Sequence, residues 1–345
     1  MKANKHSLYL EDLQKVCKLD LPWDKVAGHA FLISGATGLL GSFLVDVLML
    51  KGAKVCALGR NASRAASVFE QWLGSGDFES VSHDINLPLD LEGRRFDYVI
   101  HLASNTHPVA YSTEPVSTIT TNIGGTMNML EAARLSGARF AFASSNEIYG
   151  QNRGDCELFK EDYCGYIDSN TLRAGYPESK RCGEALCQAY ARQYGLDVVI
   201  PRFTRSFGPT LLSSDTKAAT QFIRNGVDGV DIVLKSEGKQ FYSYTYMADA
   251  VSGLLHIILK GESGLAYNIA DESCDVTLRD LASLIAAETG TMVIFELPSE
   301  TEKAGFSTAV KARLDGSRLR ALGWRPLYDI RGGIVRTLQI LRDCR

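Results

Sequence analysis

A chain of 345 residues with 45% hydrophobic side chains can bury a full core, as one large domain or two modest ones. Its 37 Lys and Arg against 40 Asp and Glu leave a formal charge of −3, so no basic surplus points to nucleic acid as a partner. Eight cysteines without a CxxC pair and no apolar run of membrane-spanning length argue against a disulfide frame, a zinc site or a membrane anchor, and a reduced cytoplasmic protein is the expectation.

In residues 8–19 the apolar positions Leu10, Leu13, Val16 and Leu19 recur at near-helical spacing, which predicts a helix in an N-terminal extension over residues 1–27. Next, the apolar run Phe31-Leu32-Ile33 enters a turn with Gly35, Gly38 and Gly41, and an amphipathic helix over Leu40–Lys51 follows. This is the pattern of a phosphate cradle. The first glycine permits a tight turn, the second lets backbone N–H groups approach a pyrophosphate, and the third lets helix and strand pack closely. Gly35, Thr37, Gly38, Leu39, Leu40 and Gly41 are therefore candidate cofactor-binding residues.

From Gly28 onward, strand-like runs (54–58, 78–85, 98–103, 139–144, 197–203) alternate with helix-like ones (40–51, 63–73, 115–136, 175–194). Such alternation predicts a doubly wound parallel sheet over residues 28–203. The rhythm then changes to short strands at 232–234, 244–247 and 266–270, with helices at 249–260, 277–288 and 330–341. Residues 204–345 are thus expected to form mainly a smaller α+β lid, interleaved with the sheet, and the substrate is expected between the two parts. The aromatic series Phe241-Tyr242-Ser243-Tyr244-Thr245-Tyr246 reads as a packed strand rather than a base-stacking platform.

Two further stretches carry chemistry. Ser144-Ser145-Asn146-Glu147 ends a strand, and Tyr176-Pro177-Glu178-Ser179-Lys180 opens a helix. Four residues apart, Tyr176 and Lys180 share a helix face, where an ammonium favours the phenolate and makes the phenol a usable base. Ser145 is placed to hydrogen-bond the reacting oxygen. His101 and His107 lie near a strand end without Cys or Asp at ligand spacing, so no metal is expected.

Together with His101-Leu102-Ala103-Ser104, Asn122-x-x-Gly125-Thr126, Arg202-Phe203 and Leu322-Gly323-Trp324-Arg325-Pro326, these motifs resemble the extended short-chain dehydrogenase/reductase family acting on nucleotide sugars. The stretches 161–165 and 173–184 are most similar to UDP-glucuronate decarboxylases. The resemblance implies a Rossmann-type fold and NAD, tightly bound, or NADP. Asp84, Ile85, Leu102, Ala103, Ser104, Asn122, Tyr176, Lys180 and Arg202 would contact the cofactor. It implies a homodimer through helices 115–136 and 175–194, and catalysis by Ser145, Glu147, Tyr176 and Lys180 through a transient 4-keto sugar. Ser145, Asn146 and Glu147 would also face the substrate. The family's dehydratases place an Asp-Glu acid–base pair where this chain has Asn146 and Glu147, and an amide cannot protonate a leaving hydroxyl. That favours decarboxylation or epimerisation over 4,6-dehydration, and decarboxylation is the first expectation, with epimerisation and 4,6-dehydration as the alternatives within the family. A dinucleotide-binding sensor without chemistry is the rival from another class.

Three positions depart from the family pattern. Gly59-Arg60-Asn61 lacks the acid that would hold a ribose 2′-hydroxyl, and Arg60 is suited to a 2′-phosphate. Thr204-Arg205 replaces an expected Asn, and Tyr242 replaces an expected Arg seven residues before Asp249. Thr204, Arg205 and Tyr242 are then the candidate substrate contacts on the lid side, Arg205 as a phosphate clamp. Lys235, Lys239 and Arg313 read as solvated surface charges.

Overall fold

Seven parallel strand positions build the main sheet of the computed structural model, which describes residues 2–345 apart from Glu92, His107, Ser213, Ser214, Leu297 and 299–309. His107 therefore lies outside the described residues. The strands are β1 (Ala30–Ser34), β2 (Lys54–Gly59), β3 (Phe78–Ser82), β4 (Tyr98–His101), β5 (Arg139–Phe142), β6 (Ser144–Ser145), β7 (Val198–Phe203) and, much later in the chain, β11 (Ala266–Ile269). Their order is β3-β2-β1-β4-β5-β7-β11, with β6 running beside β7 beyond the end of β5. Order reverses between β1 and β4, which is where an open α/β sheet leaves a crevice at its carboxyl edge.

Alternate side chains of each strand feed opposite faces. Phe31 and Ile33 join a core with Phe43, Leu44 and Val47 of α2 (Leu39–Leu50) and Leu254 and Leu255 of α8 (Met247–Lys260). Leu32, Val99 and Phe140 face the other way, toward Met129 and Leu130 of α5 (Pro115–Ser136) and Cys187 of α6 (Gly175–Tyr194). Burial on both faces is what a parallel sheet requires. The N-terminal helix α1 (Ser7–Cys17) docks outside this sandwich: buried Tyr9 donates to Asp46 of α2 at 2.7 Å, and buried Asp12 accepts from Tyr246 at 2.7 Å and Tyr328 at 2.6 Å.

The later segments form two small sheets. β10 (Phe241–Tyr246) pairs in parallel with β8 (Arg205–Phe207) and β14 (Lys311–Ala312), and antiparallel with β12 (Asp275–Thr277). β9 (Ile232–Leu234) pairs with β13 (Val293–Phe295), packed on α7 (Ala218–Asp228) and α9 (Leu278–Thr289). The expected strand over 78–85 ends at Ser82, because Asp84 folds back into a turn and accepts from the Asn86 amide at 3.0 Å. The expected helix over 63–73 is the shorter α3 (Ala62–Val68), capped by the Asn61 side chain. Aromatic residues 241–246 form one strand, buried from Tyr242 onward, in agreement with the packed-strand reading.

Candidate functional site

Gly35 follows β1 with φ of +71°, and a Cβ there would meet the Ala103 backbone nitrogen at 2.7 Å, so only glycine fits. A Cβ at Gly41 would collide with the Gly35 and Ala36 carbonyl oxygens. Gly38 is the extended residue from which α2 starts. These three positions leave the first amides of α2 facing a cleft of about 830 Å3 at the carboxyl edge of the sheet. Gly35, Thr37, Gly38, Leu39, Leu40 and Gly41 all line it, so the cradle is shaped for an anion such as a pyrophosphate. At one end of the cleft, Arg60 lines the wall beside Arg64, whose Nε and Nη2 donate to the Thr37 carbonyl at 3.3 and 3.2 Å. Asp84, Ile85, Leu102, Ala103 and Ser104 continue the wall.

Asn122 lies beneath that wall rather than in it. Ser104 Oγ donates to its Oδ1 at 2.7 Å, and its Nδ2 donates to Ser179 Oγ at 2.8 Å, tying the β4 end to α6. Arg202 also stands away from the cleft. Its guanidinium bonds Glu184 at 2.9 and 2.7 Å, the Tyr149 hydroxyl at 2.8 Å and the Glu161 carbonyl at 2.6 Å, all of them protein groups. Four of its five N–H donors are thus taken by protein groups, and it pins α6 to β7.

Ser145, Asn146, Glu147, Tyr176 and Lys180 meet on the cleft wall. Burial pushes the Tyr176 phenol up to about 12, with Ser145, Arg173 and Tyr111 beside it working against that rise, while Ser145 Oγ accepts from the Glu147 backbone N–H at 3.2 Å. Burial pushes the Lys180 ammonium the other way, to about 8. Its Nζ donates to the Ala143 carbonyl at 2.9 Å and sits 6.0 Å from the Tyr176 ring centroid. The expected lowering of the phenol pKa by Lys180 is not found: desolvation of the phenol dominates, and the groups that oppose it are Ser145, Arg173 and Tyr111 rather than the lysine. Buried His101 is held neutral, pushed down to about 3 by desolvation, with Nδ1 at 2.7 Å from Ser34 Oγ. Among the described residues no group of three His, Cys, Asp or Glu side chains stands close enough to hold a metal.

Sequence reasoning missed two residues of this site, Arg173 and Tyr111. Arg173 Nη2 donates to Glu147 Oε2 at 2.5 Å, and its guanidinium lies 4.7 Å over the Tyr111 ring. That ring in turn stacks on Tyr176, with centroids 4.7 Å apart. Arg173 stands three residues before Tyr176, a spacing from which it was open to inference. Tyr111, in the short helix α4 (Pro108–Thr113), had no local signal. On the opposite wall, Thr204 Oγ1 lies 2.5 Å from Thr245 Oγ1, and the Arg205 guanidinium lies 3.5 Å over the Tyr242 ring. Lys235 and Lys239 pair with Glu296 and Glu237, and Arg313 stacks on Phe241 at 4.6 Å.

Comparison with known proteins places this geometry. Residues 31–270 match the model of the NAD dependent epimerase/dehydratase family. The chain is 31% identical over 311 residues to UDP-glucuronic acid decarboxylase 1 of Danio rerio, covering 89% of this chain and 71% of that one. It is 30% identical to UDP-glucuronic acid decarboxylase 3 of Arabidopsis thaliana, covering 88% and 86%. A dTDP-glucose 4,6-dehydratase from Streptomyces venezuelae, solved with NAD bound, superposes with a TM-score of 0.77 at 25% identity over 91% of this chain and 97% of that one. By sequence and by fold, this chain belongs to the NAD dependent epimerase/dehydratase family.

Proposed function

We propose that this chain decarboxylates a nucleotide-activated sugar acid through a transient 4-keto intermediate, with NAD, or NADP, as a recycled cofactor. One observation sets decarboxylation against dehydration among the family's reactions: Glu147 is ion-paired to Arg173 at 2.5 Å and its neighbour is the amide Asn146. A carboxylate locked to a guanidinium beside an amide supplies no acid for a leaving hydroxyl, which dehydration needs and decarboxylation does not. The curated relatives named UDP-glucuronic acid decarboxylase support the same choice.

The glycine cradle fits the pyrophosphate of a dinucleotide, which when bound takes a hydride from C4 of the sugar and returns it. Tyr176, in its phenolate form, accepts the C4 hydroxyl proton, and Ser145, on the same cleft wall, holds the same oxygen. With C4 a ketone, the C5–carboxyl bond breaks as carbon dioxide leaves, its electron pair passing into the C5–C4–oxygen enolate. The Tyr176 proton covers that oxygen, and a proton then adds at C5. Lys180 holds its charge beneath Tyr176. We further read residues 28–203 as the dinucleotide-binding part, 204–345 mainly as the substrate part, and the molecule as a homodimer through α5 and α6.

The test is product mass from purified protein with UDP-glucuronate and either dinucleotide. Loss of carbon dioxide is the expected result, with Tyr176→Phe slowing turnover roughly 100- to 10,000-fold while dinucleotide binding persists. Loss of water, or inverted stereochemistry at constant mass, would overturn the decarboxylase reading. Undiminished activity in Tyr176→Phe would overturn the mechanism.

A further inference from the structure

Behind the Glu147–Arg173 pair lies a second pocket, of about 230 Å3. Asn146, Glu147 and Arg173 line both it and the main cleft, so these three residues are the partition between the two. On the far side the floor is small and apolar: buried Ala174 and Pro177 at the start of α6, and buried Ala312 on β14. The rim is formed by exposed Gln151, Tyr166, Asp168 and Thr171, none of which lines the cleft, so the pocket has its own opening to solvent. Two members of the partition are fixed to each other at 2.5 Å. The third, buried Asn146, has no side-chain hydrogen bond among the described residues, so its amide turns without breaking one.

The carboxyl to be lost hangs from C5, one bond from the C4 that Ser145 and Tyr176 hold, and the next residues along that wall are Asn146 and Glu147. As the C5–carboxyl bond breaks, its electron pair passes into the C5–C4–oxygen enolate with the carboxylate's charge, and neutral carbon dioxide is left. At that moment the ketone still awaits its hydride, so dinucleotide and sugar nucleotide both fill the main cleft. Carbon dioxide that stays beside the enolate is recaptured by it. A neutral molecule is not held by a guanidinium already bonded to a carboxylate, and it crosses an apolar floor without needing a hydrogen-bond partner. At about 30 Å3 for a water-sized molecule, the second pocket has room for several. We propose that this pocket is the exit for carbon dioxide, with Asn146 its movable partition and Ala312 the floor residue whose small size keeps it open. This role rests on the decarboxylase reading and adds to it the order in which products leave: carbon dioxide first, through the back, and the sugar nucleotide second, through the cleft.

The experiment is a stopped-flow single turnover of UDP-glucuronate by the full chain with dinucleotide. Dissolved carbon dioxide is read with carbonic anhydrase and a pH indicator, and reduced dinucleotide by its absorbance. In wild type, carbon dioxide is expected in solution before the reduced dinucleotide decays. Ala312→Leu fills the floor: carbon dioxide then appears only after that decay, and the reduced dinucleotide lasts roughly ten-fold longer, because recapture delays hydride return. Ala312→Ser, which adds one oxygen, keeps the wild-type order. Thr171→Trp, on the exposed rim, narrows the same pocket without entering the packed floor and is expected to delay carbon dioxide in the same way. Dinucleotide binding measured on each variant confirms that it is folded. A variant that merely displaced Tyr176 would slow the formation of reduced dinucleotide instead of prolonging it, and that result in both Ala312→Leu and Thr171→Trp overturns the exit. If wild type releases carbon dioxide and both variants match it in order and rate, the decarboxylase reading stands and the exit alone falls. If wild type releases none, both fall.

Discussion

Lys180 is a charge in a place that disfavours charge. Fully out of water, its ammonium has one hydrogen bond, to the Ala143 carbonyl, and the face of Phe142 at 4.9 Å. Its pKa accordingly falls from 10.5 to about 8. Because the folded-state value is depressed, the unfolded chain binds the extra proton between pH 8 and 10.5, and wild-type stability rises with pH across that window. Below pH 8 the full cost, about 3 kcal/mol, is present. Lys180→Met removes it and gives up a hydrogen bond worth about 1 kcal/mol. The variant is therefore expected to be more stable than wild type by about 2 kcal/mol at pH 7, with the difference shrinking toward pH 10, while losing turnover. Urea unfolding at the two pH values reads this directly. Equal stability at pH 7 would mean that the ammonium is not stored at a cost, and that Lys180 is a structural residue.

At the scale of elements, the position of α6, which carries Tyr176 and Lys180, depends on a glycine. A Cβ at Gly183, one turn beyond Lys180, would strike the Phe142 ring, so α6 lies directly on β5. Gly183→Ala is expected to cost about 1–3 kcal/mol through overpacking. It should also lower turnover, since Tyr176 and Lys180 move with the helix. A thermal melt with parallel kinetics tests this, and normal activity at normal stability would show that α6 tolerates the shift. Helix ends were legible where a local rule sets them: α5 begins at Pro115, α5 and α6 end before Gly137 and Gly195 in left-handed conformation, and Thr277 caps α9. Helix α7 was not anticipated. Its central apolar pair, Phe222 and Ile223, is short, and its Gly226 serves close packing against Ile285 and Thr289 of α9, a partner some sixty residues away. The site divides the same way. Ser145, Tyr176 and Lys180 were readable because each lies within a single local motif. Tyr111 acquires its place only when α4 lays it on Tyr176, and the stacking of Arg205 on Tyr242 requires two strands that no local spacing joins.

For the whole molecule, the exposed side of α5 is the feature that still lacks a partner. Val116 is 72% exposed, and Ile119, Met127 and Leu135 continue its line at helical spacing, beside α6 with Tyr194 at 49%. Two such helices from each of two copies would bury an apolar stripe that water now covers, and α5 and α6 already pack against each other within one chain. The consequence reaches the chemistry, because α6 carries Tyr176 and Lys180 and α5 carries Asn122, which ties it to Ser179. Pairing through these helices would brace α6 from behind, in the direction opposite the cleft. Light scattering is therefore expected to give twice the 37.7 kDa chain mass. Met127→Glu should shift the molecule toward monomer, lower its melting temperature and weaken dinucleotide binding together. A wild-type monomer at all concentrations would remove the brace from the argument. A monomeric Met127→Glu with unchanged affinity would show that α6 holds its geometry from the Phe142 contact and the Asn122–Ser179 bond alone.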